Sequence, residues 1–189
     1  MNRIILNETS YFGAGCRSVI AVEAARRGFK KAFFVTDKDL IKFGVAAEII
    51  KVFDDNHIPY ELYSDVKANP TIANVQNGVA AYKASGADFI VAFGGGSPMD
   101  VAKAVGVVAK YGGSITEYEG AHKVPGKIIP LVALPTTAGT GSEVTAFSVI
   151  TDHSRDYKLT VFSYELLPAY AILDADLITT APASVAAAC

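Results

Sequence analysis

Short unbroken apolar runs alternate along this chain with longer stretches in which apolar residues recur every three or four positions. Ala32-Phe33-Phe34-Val35-Thr36, Phe89 to Phe93, Ile128 to Leu134 and Tyr170 to Leu173 are runs of the first kind. Such runs predict strands buried on both faces. Residues 3–6 and Tyr60 to Tyr63 predict two shorter strands. Helical spacing marks Arg17 to Arg27, with Val19, Ile20, Val22 and Ala25 on one side and Gly28 as its stop. It marks Val45 to Asn56 as well, with Val45, Ile49, Val52 and Phe53 turned inward. Asn69-Pro70 predicts the start of a third helix, which runs to Ser85 before Gly86. A fourth runs from the glycines after Phe93 to about Lys110, and Thr180-Ala181-Pro182 opens a last one. Phe147 to Ile150 and Lys158 to Phe162 alternate around Asp152-His153-Ser154-Arg155, the pattern of a hairpin. Tyr11 to Gly15 reads as a turn and Tyr111 to Lys127 as a loop. Strands alternating with helices imply a Rossmann-like α/β fold: a doubly wound, mostly parallel sheet, helices on both faces, and a small β-hairpin.

Composition agrees with a buried sheet. Apolar residues make up 51% of the 189 residues, enough for one well-cored domain over 1–189. The formal charge is −2 with both signs interspersed, and no basic stripe interleaves with aromatics. Nucleic acid is therefore not expected as a partner. No apolar run approaches the roughly 20 residues of a membrane span. The opening Met1 to Asn7 lacks the long apolar core of a signal peptide. Two cysteines, Cys16 and Cys189, with no C-x-x-C, fit a reducing cytoplasm.

In a parallel sheet, ligands bind beyond the carboxyl ends of the strands. The unusual residues gather at four such ends: Asp37, Gly94 to Ser97, Thr136 to Thr140, and Asp174. Gly94-Gly95-Gly96 followed by Ser97-Pro98-Met99-Asp100 reads as a glycine turn feeding a helix. Ser97 is placed as N-cap, Pro98 at the first helical position and Asp100 as a capping-box acid. Free N–H groups there would cradle a phosphate. An acid such as Asp37 at a strand end can hold ribose hydroxyls and repel a 2′-phosphate. Two like charges about 4 Å apart at an effective dielectric near 20 repel by roughly 4 kcal/mol, enough to select NAD over NADP. The plainer role for Asp37 is a helix cap before Lys38-Asp39-Leu40. Thr136, Thr137, Thr140 and Ser142 put hydroxyls beside two glycines, as ribose or pyrophosphate would need, or as a helix-capping loop would. The loop is not a G-x-G-x-x-G fingerprint, and its acid precedes it. His57, His122 and His153 share no i, i+3 or i+4 spacing, so no histidine metal site is expected within the chain.

Several stretches resemble the iron-containing (group III) alcohol dehydrogenases. They are Thr36-Asp37-Lys38-Asp39-Leu40, Asn69-Pro70-Thr71, Gly94 through Asp100, Leu134 through Thr145, and Asp174-Ala175-Asp176-Leu177. The opening Ile4 to Thr9, followed by Phe12-Gly13, is most similar to the lactaldehyde reductase branch. The resemblance implies a dehydroquinate-synthase-like N-terminal domain. It implies an NAD-dependent, metal-dependent oxidoreductase that interconverts a small alcohol, such as a diol, and its aldehyde. By that resemblance Asp37 holds the adenosine ribose. Gly95, Gly96 and Ser97 take the pyrophosphate, with Asp100 beside them. Thr136, Thr137 and Thr140 line the ribose and adenine side, Lys158 reaches the nicotinamide-side ribose, and Asn69 lies near the cofactor.

In that family an aspartate and three histidines of a helical C-terminal domain hold the metal, iron or alternatively zinc. The first of these follow a segment that Pro182 to Ala188 matches, so the expectation is a cofactor half whose metal ligands lie outside the chain, with no catalytic residue of its own and no activity alone. The family also implies a homodimer or higher homo-oligomer through the edge of residues 3–6. Two other readings stay open at this level: a glycerol-dehydrogenase-like or dehydroquinate-synthase-like enzyme, and a non-catalytic NAD-binding module.

Overall fold

The structure is a computed structural model that describes residues 5–179, 181 and 183–188. In chain order its elements are β1 (Thr9–Phe12), α1 (Val19–Arg27), β2 (Ala32–Val35), α2 (Lys38–Lys42), α3 (Ala47–Asp55), β3 (Tyr60–Tyr63), α4 (Ile72–Ser85), β4 (Phe89–Gly94) and α5 (Gly96–Tyr111). There follow β5 (Gly120–Ala121), β6 (Leu131–Pro135), β7 (Phe147–Asp152), β8 (Tyr157–Phe162), β9 (Tyr170–Leu173), α6 (Ala175–Ile178) and α7 (Ala183–Ala188).

The main sheet has six strands in the order β1-β9-β6-β4-β2-β3, and each neighbouring pair is parallel. Alternation within the apolar runs divides the core between its two faces. Phe33, Val35, Ile90 and Ala92 face α4 and α5, where Val75, Val79, Val101 and Val105 meet them. Phe34, Phe89, Val91 and Phe93 face α1 and α3, against Ile20, Ile49 and Phe53. With both faces covered, the strands need no polar side, which is why they read as unbroken apolar runs. The chain winds outward from β2 to β3, then crosses back to β4 and continues through β6 to β9. The direction of winding therefore reverses between β2 and β4, and a crevice opens at such a switch point.

Helix α5 is buried along Val101 to Val108, as a helix apolar on all sides should be. One side rests on the sheet, and the others carry α4 and the β7–β8 hairpin. The hairpin pairs Phe147 with Phe162 and Asp152 with Tyr157. Its turn is held by Asp152, which accepts from Ser154 Oγ and Arg155 Nε, both at 2.6 Å. Those bonds, the serine's first, hold the carboxyl down at about 2.

The structure departs from the sequence reading at several places. The first strand is Thr9–Phe12, in register with Tyr170 to Leu173, and Ile5 and Leu6 belong to no strand. Residues 3 and 4 of the expected strand lie outside the described residues. The Thr9–Phe12 strand was hidden because it has alternate burial: Tyr11 packs inward while Phe12 stays exposed. The expected turn accordingly starts at Gly13. Helix α4 begins at Ile72, not at Asn69-Pro70. Thr71 is its N-cap, in a reciprocal capping box with Asn74, which satisfies two N–H groups that Asn69 would leave open. The expected 111–127 loop contains a 3-10 turn, Ile115–Tyr118, and the short strand β5, which pairs with β8. Pro182 lies outside the described residues, and α7 starts at Ala183.

Gly78 of α4 packs directly against Val105 of α5. A Cβ there would sit 2.7 Å from Val105 Cγ2 and 3.3 Å from Tyr63 Cε1. Val105 is stiff at χ1, and the Tyr63 hydroxyl donates to the Asn74 carbonyl at 2.6 Å. Alanine in a helix interior gains about 1 kcal/mol over glycine. Overpacking costs about 1–3 kcal/mol, so the clash should win. Gly78→Ala is expected to lower the urea unfolding midpoint, and a raised midpoint would show that the two helices part without cost.

Candidate functional site

The turn from β4 into α5 fixes the geometry of the crevice. Gly94 has φ 142°. A Cβ on it would lie 2.7 Å from Pro98 Cγ and 3.2 Å from Leu40 Cδ1. Only glycine fits both the conformation and the space. Gly95 then takes the N-cap position with no side-chain cap, and α5 starts at Gly96. Ser97 is therefore the second helical residue and not the cap, and Pro98 is the third and not the first. Asp100, a turn further in, does not close a capping box. The physical reason is that the tight turn starts the helix two residues earlier than a Ser97 cap would. The outcome still favours an anion, because the first N–H groups of a 16-residue helix are left without a side-chain partner.

Residues from three other segments converge on this helix end. Asn69, Pro70, Gly96, Ser97, Asp100, Thr140, Val149, Thr151 and Lys158 line a cavity of about 300 Å³. Lys158 Nζ donates to Asn69 Oδ1 at 2.8 Å. Asn69 sits at φ 55°, a left-handed conformation that asparagine tolerates. The Thr151 N–H donates to the Pro70 carbonyl at 2.7 Å, so hairpin and 69–71 segment form one wall. On the opposite side the Thr136 N–H donates to the Gly94 carbonyl at 3.0 Å and ties the two strand ends together. Thr137 Oγ1 lies 3.3 Å from where a Gly95 Cβ would be, and Thr140 Cβ 3.7 Å from that of Gly96. Thr137 Oγ1 is buried and has no hydrogen-bond partner in the structure. A buried hydroxyl without a partner is costly, and a ligand oxygen beside Gly95 would satisfy it.

Asp37 stands at the adjacent strand end, outside this cavity. It is the N-cap of α2, and its Oδ1 accepts the Leu40 N–H at 2.8 Å. The plainer role is thus filled by one oxygen, and Leu40, to which it is bonded, lies beside Gly94. Asp174 does not open onto the crevice. It is fully buried and accepts from the N–H groups of Gly15, Arg17 and Asp176 and from the Arg17 guanidinium at 2.8 Å. Burial pushes its carboxyl up, but the Arg17 and backbone donors outweigh this and hold it below the ordinary range. Its work is to lock the β1–α1 turn.

Two larger hollows, of about 660 and 580 Å³, lie elsewhere. The first is a mostly apolar groove between α1 and the end of α3. The second lies at the opening ends of β6 and β9, where Glu8 already pairs with Arg27 and Lys127. Neither holds the unpaired helix N–H groups, so the smaller cavity is the candidate site.

Two residues beneath the cavity wall escaped the sequence reading. Lys103 is fully buried, and its Nζ lies 2.7–3.1 Å from the carbonyls of Ser142, Thr145 and Phe147 and from Ser142 Oγ. Ser142 Oγ donates in turn to Asp100 Oδ1 at 3.1 Å, and Ser148 Oγ donates to the Asp100 carbonyl at 2.8 Å. A lysine inside the apolar run Val101 to Val108 was the available signal. Burial raises Asp100 to about 6, opposed by Lys103, the Val149 N–H and Ser142. Burial lowers Lys103 to about 8, opposed by Asp100 and Glu143. Among the described residues, no group of three or more His, Cys, Asp or Glu is placed to hold a metal. No helix among them is long and apolar enough to cross a membrane.

The family model for iron-containing alcohol dehydrogenases matches residues 7–175. This chain belongs to that family. Lactaldehyde reductase of Escherichia coli K12 is 39% identical over 189 residues, which cover 99% of this chain and 50% of that protein. The NAD-dependent methanol dehydrogenase of Bacillus methanolicus is 36% identical, covering 97% of this chain and 48% of that protein. The crystal structure of a 1,3-propanediol oxidoreductase superposes over the whole chain with a TM-score of 0.96 at 34% identity, covering 49% of its own length. A sulfoacetaldehyde reductase from Bifidobacterium kashiwanohense, solved in complex with NAD+, gives 0.90 at 33% identity over 98% of this chain and 49% of its own. The chain thus spans about half the length of the relatives it matches, and corresponds to the N-terminal domain of an iron-containing alcohol dehydrogenase.

The raised Asp100 pKa ties stability to pH. The folded state holds more protons than the unfolded one between about pH 4 and pH 6, so this carboxyl's contribution falls as pH rises through that window. Asp100→Asn does not titrate. Its stability relative to the parent should therefore improve by about 2 kcal/mol from pH 4.5 to pH 7. Urea unfolding at the two pH values reads the difference, and a constant gap contradicts it.

Proposed function

We propose that residues 1–189 form the NAD-binding domain of a metal-dependent oxidoreductase that interconverts small alcohols, diols included, with their aldehydes. The carrying observation is the convergence at one crevice of the uncapped α5 N-terminus, the partnerless Thr137 hydroxyl and the Lys158–Asn69 pair. A dinucleotide fits these groups. The N–H groups of Gly96 and Ser97, with the space left by Gly95, would hold the pyrophosphate. Thr136, Thr137 and Thr140 would face ribose and adenine, Asp37 the adenosine ribose hydroxyls, and Lys158, steadied by Asn69, the second ribose. Asp100 stands under the pyrophosphate and keeps the 142–149 wall in place through Ser142. A bound nicotinamide supplies the two-electron carrier for the alcohol–aldehyde step. This chain's share is to orient that ring and to shield one side of it, which is positioning and not bond chemistry. The metal, iron or zinc, we assign to the other half of such an enzyme, as the resemblance to the family implies. A cytoplasmic location belongs to the same proposal.

Calorimetric titration with NADH and NADPH tests the reading. The parent should prefer NADH. Asp37→Ala should bind NADH several-fold more weakly and lose most of its discrimination against NADPH. An unchanged preference in the variant would remove Asp37 from the site.

We extend the proposal to a homodimer or higher oligomer. Among the described residues no strand pairs with the outer edge of β1, and Phe12 on it is 78% exposed. Residues 9–12 would then contribute to the contact that the resemblance places at the edge of residues 3–6. Light scattering should give at least twice the chain mass, and a monomer at high concentration would contradict it.

A further inference from the structure

We propose that the stacked pair Phe147 and Phe162 forms the substrate end of this crevice, where it selects an alcohol by its apolar carbon chain over one that bears a second hydroxyl. The inference rests on the reading of the crevice as a dinucleotide site. Side chains alternate across a strand, so the β7–β8 hairpin has two unlike faces. Ile150, Leu159 and Val161 are buried in the core that α4 and α5 share. Phe147, Val149 and Thr151 lie on the other face, paired in register with Phe162, Thr160 and Lys158. Val149, Thr151 and Lys158 line the cavity at the α5 N-terminus. The Phe147–Phe162 pair is the next rung of that same wall, about 7 Å beyond Val149 and Thr160.

The wall changes character along its length. At one end Lys158 bonds to Asn69. At the other, the Phe147 and Phe162 rings stack with centroids 4.7 Å apart. Tyr164 meets Phe162 edge-on at 5.5 Å, and the His122 ring packs against it at 4.8 Å. The His122 N–H donates to the Phe162 carbonyl at 2.7 Å, which pins that ring in place. Phe147 is 46% exposed and Tyr164 41%. A ring cluster left open on a crevice wall is a surface for an apolar ligand group. Its occupant follows from the order of the rungs. With the second ribose at Lys158, about 13 Å separates that rung from Phe147. The nicotinamide would lie over Val149 and Thr160, and the reacting carbon of the alcohol against that ring. The rest of the alcohol then meets Phe147 and Phe162. Each methylene that leaves water there tightens binding by up to about fourfold. A second hydroxyl would give up its water to face rings that offer it no acceptor.

The test follows aromatic ring signals by NMR in the chain saturated with NADH, so that an added alcohol meets no oxidant. The probes are 1-propanol, 1-butanol, 1-pentanol and 1,2-propanediol. Shifts should concentrate on Phe147, Phe162, Tyr164 and His122. Affinity should rise about two- to fourfold with each methylene, and 1,2-propanediol should bind several-fold more weakly than 1-propanol. Phe147→Asn should lose most of the dependence on chain length and bind 1-pentanol about fivefold more weakly. Phe147→Leu should keep that dependence, and both variants should hold NADH within about twofold of the parent. A phenylalanine that served stability alone would lower the unfolding midpoint in Phe147→Asn and leave the chain-length series unchanged. Equal affinity for the diol and 1-propanol overturns the proposal, as do shifts centred on the α1–α3 groove. Ring shifts that follow protein concentration and not alcohol assign the cluster to a protein partner and also overturn it. If the asparagine variant does not fold, the parent's alcohol series decides. A parent that binds no NADH overturns the dinucleotide reading, and the same alcohol series without cofactor then decides the ring cluster by itself.

Discussion

The turn at Gly94 has no room for a side chain, and the arrangement of the crevice follows from that. With Pro98 and Leu40 within about van der Waals reach of the missing Cβ, β4 passes directly into α5. A wider turn would move the helix N-terminus off the switch point between β2 and β4. The direct passage puts its free N–H groups beside Thr136, which is bonded to the Gly94 carbonyl, and close to Thr137 and Thr140. The helix dipole adds partial positive charge at the same place. Backbone geometry alone thus makes this helix end suited to an anion, before any cationic side chain contributes.

The opposite wall is held by polar groups below it. Asp100, Ser142, Lys103 and Ser148 form a buried network between α5 and the start of β7. Such networks are stabilising only when their members are satisfied. Burial drives the Asp100 and Lys103 pKa values toward each other from both sides, because each charge is desolvated. An apolar core here would be easier to stabilise. The polar one ties a loop wall to a rigid helix, which preorganises a site for ligand.

Much of the fold was legible in the sequence, because strands covered on both faces must be apolar throughout. The runs 32–35 and 89–93 could be read without ambiguity. Thr9 to Phe12 could not, because an edge strand with one covered face has no such run, and its pairing with β9 lies about 160 residues away in sequence. The cap at Thr71 was obscured by Asn69-Pro70, whose residue types fit a helix start but whose left-handed Asn69 backbone instead serves the cavity wall. The candidate residues were visible as types at strand ends, and six of the ten line one cavity. Their local duties were not visible: Asp37 caps α2, Ser97 caps nothing, and Asp174 holds a distant turn. Lys103 was passed over because its acceptors are backbone carbonyls 39 to 44 residues away, which no side-chain pattern announces.

The central claim is that the crevice between Gly95 and Lys158 takes a dinucleotide. Backbone amide NMR spectra of the chain, titrated with NADH, test it most directly. Shifts should concentrate at Gly95 to Ser97, Thr136 to Thr140, Asn69 and Thr151 to Lys158, with a smaller set around Asp37. Shifts centred instead on the α1–α3 groove or on the hollow at the opening ends of β6 and β9 would contradict the account.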